Sequence, residues 1–207
     1  MTDLTERVRH LLGGPSPLPL TLAGDPVLRT PAEPYDFSLP AADWADLIAA
    51  MRATMHAAPG VGLAAPQIGL GIRVAVLEDR ADVAPEVAEQ RQRYPTPPRV
   101  LVNPSYQNVD EFEPAAEFYE GCLSVPGYQA VVPRARAVRL RCLDENGRAI
   151  DEIVSGWAAR IVAHEIDHLD GILYLDRALT RSLATTSNLL DHWAGQPLSR
   201  IRGVLRF

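Results

Sequence analysis

The sequence is poor in cysteine, has no long hydrophobic run and carries no excess of positive charge. Two cysteines in 207 residues, with no secretory signal ahead of them, predict a reducing compartment and argue against a disulfide framework. No segment approaches the roughly 18 consecutive apolar residues of a membrane-spanning helix. A net charge of -6 disfavours binding to nucleic acid or anionic membranes through bulk electrostatics. We therefore expect neither sequence-specific nucleic-acid binding nor membrane association.

The composition is that of a globular chain. Apolar residues make up 47% of the sequence and charged residues 22%, which are ordinary proportions for a folded domain. The length predicts one domain covering residues 1–207. The N-terminal residues have neither the apolar core of a signal peptide nor the Arg-rich, acid-poor composition of a transit peptide. We expect a cytoplasmic protein, with a processed organellar form as the alternative.

The hydrophobic pattern groups the predicted strands between helices. Such grouping favours an α+β fold, with antiparallel β-sheets packed around a central helix. The charged segment 80–99, which contains several prolines, is predicted to be an exposed insertion with a short helix at 85–93. An apolar tail is predicted at the end of the chain. The patterns predict helices at 4–12, 44–55, 155–170 and 183–193, and strands at 72–77, 99–103, 116–120, 128–132, 137–143 and 150–154.

His164-Glu165-Ile166-Asp167-His168 forms an HExxH motif. On a helix this spacing places two imidazoles one turn apart with a carboxylate beside the first, which is typical of metal-dependent hydrolases. Trp157 and Ile161 continue the same helical face, Ser155 can act as the N-cap, and Gly171 supplies a stop. The alternative is a pair of hydrogen-bonded core histidines on an apolar stripe.

A catalytic zinc-type site needs a third protein ligand and one open position. The metzincin pattern is broken because Tyr174 stands where its last histidine would fall. No glutamate follows Glu165, which excludes a downstream Glu ligand. Upstream, Cys122 could supply a thiolate, which suits iron or zinc. No known ligand spacing supports the downstream candidates for the third ligand, which are Asp170, Asp176, Asp191 and His192.

Cys122 has two alternative interpretations. It could be a small buried hydrophobic residue, as most free cysteines are, or it could form a disulfide with Cys142. The buried interpretation fits Cys142 better. In a predicted strand Arg139 and Arg141 point to one face, and Cys142 lies on the opposite, apolar face. Gly121, next to Cys122, would let the backbone approach a substrate closely.

Three motifs together resemble those of peptide deformylases. They are the segments 60–67 (GVGLAAPQ), 120–124 (EGCLS) and 164–171 (HEIDHLDG). The resemblance spans about residues 24–180, and the segments 80–99 and 155–160 are similar to the subgroup that includes organellar deformylases. Ala163 departs from the family, which often has Gln before the motif histidine.

The resemblance implies removal of the formyl group from the N-terminal formylmethionine of new polypeptides, with release of formate. It implies Fe(II) as the metal in the cell, with Zn(II), Ni(II) or Co(II) in isolated protein, and nascent chains with transient ribosome association as partners of a monomer. Glu165 would act as the general base, and Gln67 with the Leu123 N–H would stabilise the oxyanion. The metal ligands would be Cys122, His164 and His168, and the substrate-binding residues Val61, Gly62, Gly121, Trp157 and Ile161.

Other interpretations stay open on the sequence alone. A zinc endopeptidase and a non-catalytic, metal-stabilised binding protein of the same fold are the alternative functions. Gln67 could be an ordinary surface amide. Trp157 and Ile161, together with Arg160 on the same helix, could line a methionine pocket, or the two apolar residues could only fill the core.

Overall fold

The computed structural model describes residues 3–109 and 115–207. Within these ranges the strands are β1 (Gly62–Ala64), β2 (Val74–Asp79), β3 (Thr96–Asn108), β4 (Ala116–Cys122), β5 (Val125–Arg134), β6 (Ala137–Leu143), β7 (Ala149–Ser155) and β8 (Ala184–Thr185). The α-helices are α1 (Leu4–Leu12), α2 (Ala41–Ala57), α3 (Pro85–Arg91), α4 (Gly156–Leu169), α5 (Tyr174–Arg177), α6 (Thr186–Asn188) and α7 (Leu198–Leu205). No helix in the described ranges is long and apolar enough to cross a membrane.

The strands form two antiparallel sheets. The larger has the order β1-β2-β3-β6-β7 and the smaller has the order β4-β5-β8. Strands β1 and β4 are therefore edge strands of their respective sheets. The α+β prediction with largely antiparallel pairing is confirmed.

The five-stranded sheet is buried on both faces at its centre. In β2, Val74 and Val76 pack into the cluster that contains α2, whereas Leu77 packs into the cluster that contains α4. Alternate residues of a strand point to opposite faces, so β2 separates the two helices. Helix α4 thus lies against a continuous sheet surface, which fixes the orientation of the histidines that it carries.

The side-chain cap predicted at Ser155 does not form, and α1 likewise lacks one. Asp3 and Ser155 occupy the N-cap positions of α1 and α4, but neither side chain makes a capping hydrogen bond. At α4 the backbone carbonyl of Gln92 accepts a hydrogen bond from the Trp157 N–H in the first turn, at 3.1 Å. A tertiary contact satisfies a donor that a cap residue would otherwise satisfy.

The predicted helix at 183–193 is wrong in its first three residues. Residues Ala184–Thr185 instead form β8, which pairs with Gln129 and Tyr128 of β5. Short helical segments follow, α6 and a π-helix at Leu189–Trp193. Pairing with the free side of β5 outweighed local helix propensity, which is a weak preference. The short helix predicted within the insertion is confirmed as α3, while β3 begins earlier than predicted, at Thr96.

Candidate active site

Cys122, His164 and His168 lie close together in the fold. Strand β4 ends at Cys122, and α4 presents the two histidines from its second half. One potential ligand atom from each side chain lies within 4.8 Å of the other two, and the Cys122 Sγ atom lies 3.2 Å from Nε2 of His168. A cysteine upstream in the sequence is therefore brought beside the HExxH histidines.

This donor set fits a divalent cation. Bonds of about 2.1 and 2.3 Å at a tetrahedral angle place the N and S donor atoms roughly 3.5 Å apart, close to the separation between Cys122 and His168. Burial lowers the pKa of His168 well below its ordinary value, so its imidazole is neutral, as a ligand must be. Burial alone lowers the pKa of His164 too, but hydrogen bonds to Cys122 and Glu120 raise it to about 10. Metal binding must displace this proton.

Glu120 orients the first histidine. Its buried carboxylate accepts a hydrogen bond from Nδ1 of His164 at 3.1 Å, which leaves Nε2 of His164 as the nitrogen available to a metal. Arg134 donates to both oxygens of Glu120, at 2.7 and 3.0 Å, and Arg160 donates to one of them. Burial by itself raises the pKa of Glu120, but the bond from His164 and the charge of Arg134 lower it overall. A carboxylate behind a ligand histidine fixes the ring and its tautomer.

Asp167, in the second half of α4, extends this hydrogen-bond network. Arg134 donates to it at 2.8 Å, and Arg177 donates to both of its oxygens at 2.7 and 2.8 Å. The Tyr106 hydroxyl lies 3.3 Å from one of these oxygens. Removing one member of a buried ion pair commonly costs about 3–5 kcal/mol. The connected network therefore resists movement of α4 relative to β4 and β5.

Glu165 is the general-base candidate. It is 4% exposed, and burial raises its pKa to about 7. Its Oε2 atom has no hydrogen-bond partner among the described residues. Gly62 in β1 leaves room for the carboxylate, since it has no side chain. A Cβ atom at this position would lie 2.2 Å from Oε1 of Glu165. Gly62 is thus required by the position of the base, a role that the sequence did not reveal.

We expect Gly62→Ala to lower kcat/KM roughly 100-fold, because displacement of a catalytic group by about 1 Å has effects of that order. Metal content and thermal stability should change little, since the neighbour that must move is the end of a flexible side chain. Gly71→Ala is the matched control, as a Cβ atom there meets nothing within 4 Å. Full activity of Gly62→Ala would contradict this assignment.

Gln67 is held in one orientation. Its Oε1 atom accepts the Ala64 N–H at 2.8 Å, so its Nε2 group points to Ser124 Oγ at 3.3 Å and to Cys122 Sγ at 3.6 Å. The side chain is 2% exposed, which excludes the surface-amide interpretation. Leu123 follows Cys122 in the turn between β4 and β5 and lines the same cleft as Gln67.

The downstream ligand candidates lie elsewhere. Asp170 pairs with Arg73, and Asp176 pairs with Arg29. Asp191 and His192 lie in the π-helix. Within the described ranges, the Cys122, His164 and His168 group is the one cluster of three potential metal ligands.

The two cysteines are not joined. Cys142 lies on the buried face of β6, as the strand pattern predicted, and both cysteines are free. Burial raises the pKa of the Cys142 thiol to about 11. The disulfide alternative is therefore excluded, and Cys142 is a packing residue.

A cleft of about 730 Å³ opens beside the cluster. Ile161 borders the cleft and also belongs to the core cluster between α4 and the large sheet, so the two interpretations of this residue are not exclusive. Trp157 lies further along the same wall. Arg160 borders the cleft, but its guanidinium is committed to Glu120 and to the carbonyls of Val132 and Ala116. Val61, Gly62, Gly121 and Leu123 also line the cleft.

Ser124, Arg134 and Arg91 also belong to the site, although the sequence patterns did not indicate a role for them. Ser124 accepts from Gln67, and its N–H lies 3.4 Å from Cys122 Sγ; its place at the end of the EGCLS segment was an available signal. Arg134 links Glu120 to Asp167, and Arg91 enters the cleft from the insertion. No spacing rule in the sequence relates either arginine to the HExxH helix.

Comparison with known proteins assigns the family. A profile described as "Polypeptide deformylase" matches residues 17–183. The chain is 59% identical over 204 residues to "Peptide deformylase 1" of Streptomyces coelicolor, an alignment that covers 99% of this chain and 93% of the relative. The chain belongs to the polypeptide deformylase family. It is a metal-dependent hydrolase that acts on peptides with an N-terminal formylmethionine.

Two further deformylases extend the comparison. "Peptide deformylase 1A, chloroplastic" of Solanum lycopersicum is 43% identical over 172 residues, covering 81% of this chain and 61% of the relative. The resemblance to the subgroup with organellar members is thereby confirmed. The crystal structure of a Synechococcus elongatus deformylase in complex with actinonin superposes with a TM-score of 0.67 and 32% identity, covering 88% of this chain and 87% of that one.

Proposed function

We propose that the cleft binds the formylated N-terminus of a newly made polypeptide and that Cys122, His164 and His168 hold the catalytic metal beside it. The observation that carries the proposal is the juxtaposition of this ligand cluster with a buried glutamate, Glu165, that has an unpartnered oxygen. A structural metal site needs no such base. This argues against a non-catalytic binding protein of the same fold.

Glu165 moves the proton in this mechanism. When bound, the divalent cation acts as a Lewis acid that makes water reactive near neutral pH. Glu165 takes a proton from the attacking water and passes it to the departing amine as the formyl C–N bond breaks. A pKa of about 7 suits a group that must both accept and release a proton. Formate and a free N-terminal methionine are the products.

Gln67 and Leu123 stabilise the negative charge that develops on the formyl oxygen. The Gln67 Nε2 group is fixed beforehand by the bond from the Ala64 N–H to its own Oε1, and the Leu123 N–H belongs to the backbone of the turn between β4 and β5. Donors that need no reorganisation contribute most when charge appears, and loss of one such donor typically costs about 100-fold to 1000-fold in rate. Glu120 contributes indirectly by fixing the ring of His164.

The peptide is expected to bind as an added strand. Both β1 and β4 are edge strands whose residues line the cleft. An extended chain between them could exchange backbone hydrogen bonds with residues around Val61, Gly62 and Gly121. Trp157 and Ile161 would then flank the pocket for the methionine side chain.

The proposal extends to the identity of the metal, the oligomeric state and the cellular location. Fe(II) is the metal that we expect in the cell, and Zn(II), Ni(II) or Co(II) could replace it in isolated protein. We also propose a cytoplasmic monomer that meets nascent chains through transient ribosome association. The zinc endopeptidase alternative is disfavoured because Tyr174 is buried, donates to the Tyr128 carbonyl at 3.1 Å and leaves no third histidine.

One assay distinguishes the candidate activities. Metal-loaded protein is incubated with a formyl-Met tripeptide and, separately, with an unformylated peptide in which only internal peptide bonds can be cleaved. We expect formate from the first and no cleavage of the second. Internal cleavage would support the endopeptidase, and inactivity of the metal-loaded protein on both peptides would support a binding protein.

A further inference from the structure

The end of α3 is docked firmly against the start of the metal-binding helix. Gln92 is the C-cap of α3 in the left-handed conformation, and its carbonyl accepts the Trp157 N–H. A Cβ atom on Gly156 would lie 2.5 Å from that carbonyl oxygen, so only glycine permits this approach. Arg93 donates to both oxygens of the buried Asp79 at 2.7 and 3.0 Å. The insertion is thus part of the cleft wall.

Three arginines surround the Trp157 ring. The guanidinium carbons of Arg91, Arg93 and Arg160 lie 5.1, 5.5 and 5.6 Å from its centroid. Two of the three have carboxylate partners, because Arg93 pairs with Asp79 and Arg160 pairs with Glu120.

Arg91 differs from its two neighbours. It stacks on Trp157 and on Phe118, at 5.7 Å from the latter ring. Among residues 3–109 and 115–207 it has no ion pair and no hydrogen bond. A guanidinium has five N–H donors and no acceptor. The cleft wall beside Trp157 therefore contains a cation whose donors have no acceptor in the described chain.

Under the proposed function, Trp157 and Ile161 flank the pocket for the first side chain of the substrate. A methionine thioether is only a weak acceptor, so it cannot satisfy Arg91. Oxidation converts methionine into its sulfoxide, which is polar and carries a strong acceptor oxygen on a side chain of nearly the same length. A purely apolar pocket would reject this oxygen because burying it without a partner is costly. Arg91 supplies the partner.

We propose that Arg91 is a specificity-determining residue that lets this deformylase accept peptides beginning with N-formylmethionine sulfoxide. This inference rests on the proposed function. The reaction is the same hydrolysis: water adds to the formyl carbon, the C–N bond breaks, the amine takes a proton and formate leaves. The sulfur is already oxidised in the substrate and is not changed.

The test compares kcat/KM for three tripeptides that differ only in the first residue: formyl-Met, formyl-Met sulfoxide and formyl-norleucine. In Arg91→Met we expect the ratio of sulfoxide to methionine substrate to fall by about 10-fold to 100-fold, the range for loss of a hydrogen bond to a charged donor. The loss should appear mainly in KM. The ratio of norleucine to methionine substrate should not change, because neither side chain is a good acceptor.

Two further variants control for indirect effects. Arg91→Lys keeps the charge and should retain part of the sulfoxide activity. Arg80→Met removes an arginine of the same segment whose side chain is 78% exposed and lies outside the cleft lining, so the ratio should stay at the wild-type value. Because each measurement is a ratio within one variant, a general loss of stability cancels.

An unchanged sulfoxide ratio in Arg91→Met would overturn the proposal. So would a wild-type enzyme that cleaves the formyl-Met and formyl-norleucine peptides but rejects the sulfoxide peptide. Failure to cleave any of the three peptides would instead contradict the proposed function itself.

Discussion

Glu165→Gln is expected to lose at least roughly 100-fold in kcat/KM while it keeps its metal. The loss follows from the proton-transfer role, since a positioned general base contributes about 100-fold to 10,000-fold. The amide is nearly the same size as the carboxylate and still fits over Gly62, so the cleft should keep its shape. Steady-state kinetics with a formyl-Met tripeptide and element analysis of the same preparation provide the two measurements.

The ligand variants serve as the contrast. His164→Ala and His168→Ala should lose the metal itself, because each removes one of three donors. Stoichiometric metal loss from Glu165→Gln would show that this glutamate is a ligand rather than a base. Combining Glu165→Gln with Gly62→Ala should add little further loss, because both changes remove the function of one group.

Activity is expected to depend on the metal and to decay in air for the iron form. Protein purified in air should contain mostly zinc, because the stability order places Zn(II) above Fe(II) for such donors. Anaerobically loaded Fe(II) protein should be the fastest form. Its decay in air should accompany loss of iron and oxidation of Cys122, whose thiolate can be oxidised to sulfinic and sulfonic acids. Loading with Ni(II) or Co(II) should preserve activity.

Mass spectrometry of the peptide that contains Cys122, together with element analysis, checks this account without relying on activity. Cys142 is an internal control, because it is a buried thiol whose raised pKa keeps it protonated. Its peptide should stay unmodified while the Cys122 peptide gains oxygen. Inactivated protein that retains both iron and an unmodified Cys122 would refute the account, as would a zinc form that is as fast as the iron form.

The metal helix could be predicted from the sequence because its signals are local. The HExxH spacing, the apolar positions on the same face and the stop at Gly171 all depend on the geometry of a single helix. The alternation around Cys142 likewise placed that residue on the buried face of a strand. The helix predicted at 183–193 failed because its first residues pair with β5, which the local pattern does not contain.

The chemical groups of the site follow from the sequence alone: two imidazoles one helical turn apart, a carboxylate beside them, and a single cysteine in a glycine-flanked motif. How those groups are held depends on contacts between distant parts of the chain. Glu120 and Arg134 fix His164 through contacts between β4, β5 and α4. Gly62 admits the base, and Arg91 reaches the cleft from an insertion 65 residues before the metal helix begins at Gly156. Such contacts join residues distant in the chain, so they follow from the packing of sheets and helices and not from any local period.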